Sequence, residues 1–153
     1  MPTHSPEAEL LAAVYTLLST DTELTTATGI DPATGSARAV AVFNQPPQDT
    51  PVPYVRITLT DGIEMEGETY GFSHTPTCQT LSLMIDAISD YEPETYTVSA
   101  RIRALFSNQP ITTTNFTGST WVTARTFVTD NTSSPDHVYQ LASVRVRVNL
   151  EPR

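Results

Sequence analysis

The stretch VFNQPPQDTPVPYVRITL, Val42 to Leu59, reads as the end of one strand, a proline-studded crossing and the start of a second strand. Pro46, Pro47, Pro51 and Pro53 each fix φ and remove a backbone donor, so the crossing joins neither a helix nor a sheet ladder. Directly after it, Val55, Ile57 and Leu59 alternate with Arg56, Thr58 and Thr60, the period of a half-buried strand. Tyr54 sits where the rigid path ends and anchors the strand that follows.

Working outward, Ser5-Pro6-Glu7 is a helix start: a hydroxyl N-cap, proline at the first helical position and an acid near the positive end of the dipole. Leu10, Leu11, Val14, Leu17 and Leu18 follow at helical spacing. Thr20-Asp21-Thr22-Glu23 fits a capping box and predicts a short second turn of helix around Leu24. A short strand is expected over 39–43 and the post-proline strand over 54–60. From Asp61 to Thr75 the pattern changes. Glu64 and Glu66 alternate with Ile63 and Met65, Glu68 continues the series and glycines punctuate it, which suits an extended arm or hairpin.

Leu81, Leu83 and Ile85 mark the inward face of a third strand running to about Ser89. Pro93-Glu94 opens a second long helix with Val98, Ile102, Leu105 and Phe106 on one face, and Asn108-Gln109-Pro110 stops it. Two strands close the chain. In the first, 120–129, the phase is ambiguous between Trp121 with Phe127 and Val122 with Val128. In the second, Val138, Ala142, Val144, Val146 and Val148 face in, while Tyr139, Arg145 and Arg147 face out. Short links favour antiparallel pairing. The expectation is a single α+β domain over residues 1–153: a mainly antiparallel sheet of about five strands, two helices packed on one face, and an extended hairpin or arm.

At 153 residues the chain buries a core without a metal or disulfide staple. Its one cysteine, Cys78, forms no internal bridge. The start, MPTHSPEAEL, does not read as a secretory signal, and no apolar run approaches the roughly 20 residues of a membrane span. All eight basic residues are arginine against 17 acids, a net charge of −9. That balance argues against a sequence-independent grip on nucleic acid, although it suits a channel through which DNA must slide.

Catalytic signatures are absent. There is no nucleophile elbow, phosphate loop, dinucleotide fingerprint or zinc-protease motif, and His4, His74 and His137 lie far apart. The expectation is a protein that is not an enzyme and carries no cofactor and no metal. Glu64, Glu66 and Glu68 lack the Asn, Asp and glycine-turn pattern of a calcium loop and read as a solvated or interfacial acidic edge. Arg145 and Arg147 form the opposite stripe, suited to solvent or to a neighbouring subunit's carboxylates.

Taken in order, several motifs carry a resemblance. They are the Leu/Ala helix with S-T-D-x-E-L-T, then V-F-N-Q-P-P-Q-D-T-P-V-P-Y-V, L-M-I-D-A-I-S-D, V-S-A-R-I-R-A-L-F and V-R-V-R-V. In this order they resemble the tail completion, or tail terminator, proteins of long-tailed bacteriophages. The resemblance implies a structural virion protein that closes into a ring, typically a hexamer, on the last ring of the tail tube. Such a ring ends tube polymerisation and presents the head-joining surface. Its implied partners are copies of itself, the major tail tube protein and a head–tail connector or stopper protein. DNA would be passing cargo only, with no membrane contact. The implied location is the head-proximal end of the tail in the virion, after assembly in the host cytoplasm. Another neck or head-closure component is the alternative, with a small ligand-binding domain or enzyme behind it.

Overall fold

The computed structural model describes residues 5–28, 41–43, 52–66, 76–130 and 139–153; for 41–43, 61–66, 76–78 and 130 it describes the backbone alone. Pro46, Pro47, Pro51, Glu68 and Val138, singled out above, lie outside the described residues. The elements in chain order are α1 (Pro6–Thr20), α2 (Thr22–Thr28), β1 (Ala41–Phe43), β2 (Tyr54–Glu66), β3 (Pro76–Ser89), α3 (Glu92–Phe106), β4 (Gln109–Thr112), β5 (Phe116–Asp130) and β6 (Tyr139–Pro152). The strands form one six-stranded sheet in the order β1-β2-β3-β6-β5-β4.

Ser5 caps α1 by accepting from the Ala8 N–H at 3.2 Å, with Pro6 behind it in the first turn. The helix buries Leu10, Val14 and Leu18, each contributing about 1.5–3 kcal/mol by leaving water. Leu11 is half-buried and Leu17 is 36% exposed, so the apolar stripe is narrower than its spacing suggests. In α3, Val98, Ile102 and Phe106 are buried as their period requires. Helix residues and the inward rows of the sheet (Val55, Ile57, Leu81, Leu83, Ile85, Ala142, Val144, Val146, Val148) form one core on a single face.

The short helix around Leu24 forms, but its cap is Asp21: Oδ2 accepts from the Leu24 N–H at 3.0 Å. Both Asp21 oxygens also accept from Arg101 of α3, at 3.0 and 2.7 Å, which ties α2 to α3. The Arg101 hydrogen bond is the main reason the Asp21 carboxyl is held below its ordinary value of 3.8. A depressed folded-state pKa stabilises the fold above the ordinary value, and that contribution fades as pH falls below it. Asp21→Ala is therefore expected to cost about 1 kcal/mol near neutral pH through the lost cap. Urea titrations across the acid range should show the difference from the parent shrinking below pH 3.8.

The class holds, and three details differ from expectation. β1 pairs with β2 in parallel, Ala41 opposite Val55, whereas the remaining four pairings of the sheet are antiparallel. β4 replaces a stretch read as a helix stop and connection. Asn108 takes a left-handed φ of 52° and ends α3, after which Gln109–Thr112 pair with Thr117–Thr120. Thr120 Oγ1 donates to the Phe106 carbonyl at 2.9 Å, fixing the helix end to β5. Finally, β2 and β5 each carry one extra residue, Thr60 and Thr123, where the pairing register slips. Each of these threonines donates its hydroxyl to a carbonyl of the partner strand, Ser82 at 3.0 Å and Arg145 at 3.4 Å.

The slip at Thr123 resolves the ambiguous phase. Trp121 lies opposite Arg147 on the open face, whereas Arg125 and Phe127, past the slip, lie opposite Val144 and Ala142 on the helix face. No described helix is long and apolar enough to cross a membrane.

Candidate assembly surface

The acidic arm is the end of a hairpin. β2 runs through Glu64 and Glu66, which register with Gln79 and Pro76 of β3. β1 covers the outer edge of β2 only from Val55 to Ile57, and no other described strand pairs with that edge. Where the crossing meets β2, Pro53 is buried and Tyr54 is half-buried, its phenol pushed above its ordinary pKa mainly by burial.

Arg145 and Arg147 project from the face of β6 that carries no described helix, and both are exposed. Their cross-strand neighbours are Met84 and Ala124 for Arg145, and Ser82 and Trp121 for Arg147. Neither makes an ion pair among the described residues. Glu64 registers three residues along β3 from the partner of Arg147, about 10 Å away along the strand. Along the described backbone, Glu64 and Arg147 thus stand apart within one chain.

Beside Arg145 on the open face lies a row the residue pattern did not single out: Arg56, Asp86 and Ser143, aligned across β2, β3 and β6. Asp86 is 1% exposed. Its Oδ2 accepts from Arg56 Nε and Nη2 at 3.1 and 2.7 Å, and its Oδ1 from Ser143 Oγ at 2.5 Å. The signal was present in L-M-I-D-A-I, because an acid inside an otherwise apolar strand must be paired or neutral.

A second missed feature sits on the opposite sheet edge. β4 covers β5 only from Thr117 to Thr120, leaving the outer edge of 121–130 without a described strand. Along it Phe127 is 49% and Val128 48% exposed. Phe127 packs edge-on against Tyr96 of α3, centroids 5.1 Å apart, and the Arg125 guanidinium lies 5.2 Å from the Phe127 centroid. Arg125 Nη2 donates to Ser99 Oγ at 3.0 Å, while its buried Nε has no partner among the described residues. No sequence signal placed Arg125 here, since its face depends on the slip at Thr123.

An open cleft of about 740 Å³ separates α1 from β4, lined mainly by Ala12, Ala13, Thr16, Leu17 and Pro110–Thr114. Glu9 closes one end, accepting from Thr113 Oγ1 at 2.7 Å and from the backbone and side-chain nitrogens of Asn115 at 3.0 and 2.6 Å. Its walls hold little that could do chemistry. Among the described residues no group of three or more His, Cys, Asp or Glu is placed to hold a metal ion.

No family model matches the chain, and no curated protein matches it by sequence. Among solved structures it is similar to a chain of the "Virion of native gene transfer agent (GTA) particle", with a TM-score of 0.72 at 14% identity. The likeness covers 97% of this chain and 99% of that one, so the two share a fold from end to end.

Proposed function

We propose that this protein is a structural subunit of a phage-like virion that closes into a ring, a hexamer, at the head-proximal end of the tail tube. There it ends tube growth and offers the surface that joins the head. The carrying observation is the end-to-end fold likeness to a chain of a virion particle. In this reading the protein works by contact rather than by chemistry, and its partners are its own copies, the tail tube protein and a connector or stopper protein. DNA passes through the ring during transfer, and the net charge of −9 keeps the wall from gripping phosphate. Assembly takes place in the host cytoplasm before the ring is carried in the virion.

Glu64, Glu66 and Glu68 either line that passage or meet arginines of a neighbouring subunit, with Arg145 and Arg147 as partners. The proline crossing, Pro46 to Pro53, holds the path into Tyr54 rigid so that the contact surface is preformed. The expected result is a closed oligomer by light scattering and negative-stain microscopy of the purified chain or of the chain on tail tubes. Antibody labelling of virions should mark the head-proximal end of the tail. A chain that stays monomeric when concentrated and is missing from that end would overturn the reading. Labelling on the head side of the joint would instead make it a neck component.

A further inference from the structure

We infer that the free edge of β5 is the docking strip for the free edge of β2 from a second copy, with Arg125 as the buried cation that receives a carboxylate. The inference rests on the ring reading and specifies its contact.

A long uncovered edge strand is a liability that proteins blunt with lysine, proline or a covering element. From 121 to 129 β5 holds no lysine or proline and, among the described residues, no covering strand; what guards it is the extra residue at Thr123 and the inward-facing Arg125. The residues of this stretch, WVTARTFVT, are mainly β-branched and aromatic, suited to pairing with another strand. Such pairing supplies main-chain hydrogen bonds, while alternate side chains of the added strand meet the two faces of the edge. Each face offers arginine: Arg125 beside Tyr96 and Phe127 on the helix side, Arg145 and Arg147 one strand away on the open side. Arg125 is half-buried and stacked on an aromatic ring, with its Nε unused and no carboxylate near it among the described residues. A guanidinium so placed is worth most to a planar acid that arrives with its own apolar neighbours.

This chain carries that partner on its opposite sheet edge. In Asp61-Gly62-Ile63-Glu64-Met65-Glu66, acids at both alternations are interleaved with apolar residues, on a strand whose outer edge no described strand pairs beyond Ile57. Because the two strips differ and lie on opposite edges, joining them is head-to-tail. Repetition of such a contact closes a ring or extends a filament, whereas a self-matched contact stops at two copies.

The test uses the full chain with Cys78→Ser. Ile63→Cys combined with Thr126→Cys, or with Ala124→Cys, should give an oxidation ladder of covalent oligomers, while each single-cysteine variant should give none. Arg125→Gln should raise the concentration needed for assembly about thirtyfold or more, with unchanged circular dichroism. Arg125→Lys should fall between, because an ammonium keeps the charge and loses the fork. Closed oligomers that form without any ladder from either pair and are indifferent to Arg125→Gln would overturn the strip and leave the ring reading standing. Dimers from a single-cysteine variant would overturn it too, as a self-matched contact. A chain that stays monomeric and uncrosslinked throughout would overturn both.

Discussion

Asp86→Ala is expected to lower stability by about 2–3 kcal/mol. Removing one member of a buried ion pair costs about 3–5 kcal/mol when the other charge is stranded in the interior. Here the relief is partial, because the Arg56 side chain is 32% exposed and can recover some hydration, which sets the lower figure. Ser143 loses its acceptor in the same step, and β2, β3 and β6 lose a tie that crosses all of them. Asp86→Asn should cost less, since its side-chain oxygen still accepts one hydrogen bond and only the charge is gone. Ser143→Ala should cost about 1 kcal/mol. Denaturant melts of the three variants give the ranking. If Asp86→Ala proves no worse than Ser143→Ala, the Arg56 ion pair adds nothing to stability.

Gly118→Ala is expected to be at least as severe, about 3 kcal/mol, or a drop in Tm of about 6–12 °C for a chain of this size. A Cβ built at Gly118 would stand 1.7 Å from the Asn149 carbonyl oxygen, 2.8 Å from its carbonyl carbon and 3.2 Å from the Leu150 Cα. All three atoms are backbone of β6, so no rotamer change relieves the contact; β5 must move away from β6. Gly118 also pairs with Ile111 of β4, so the shift should be felt there first. Hydrogen exchange should show the amides of Ile111 and Thr112 losing protection before those of β3. A variant that melts with the parent and keeps those amides protected would show that the strands separate at little cost.

The residues announced most of this fold, and the parts they hid share one cause. Helix starts were readable because Ser5 and Pro6 act locally, and β3 and β6 were readable because unbroken alternation records one buried face. Wherever the chain inserts an extra residue, alternation no longer identifies a face. Thus 61–66 read as an oddity when it is β2 continuing past Thr60, and Trp121 and Phe127 read as companions when they stand on opposite faces. β4 was hidden because a four-residue edge strand with a proline in it looks like a loop until its partner is known. The parallel pairing of β1 with β2 is a matter of relative strand direction, which no local preference encodes. Of the surface residues, Arg145 and Arg147 were legible from their stripe. Arg125 was not, and Asp86 was legible only as an acid in need of a partner.

The extra residue at Thr123 also tells which genetic changes this surface tolerates. Thr123 is exposed, so exchanging it for another side chain disturbs little beyond one 3.4 Å hydrogen bond. Deleting its codon would remove the bulge and leave the pairing intact: Val122 opposite Val146 would be followed directly by Ala124 opposite Arg145, so Arg125 and Phe127 would keep the helix face and only the local twist would change. At this position the gene is free in spelling and, by one codon, in length.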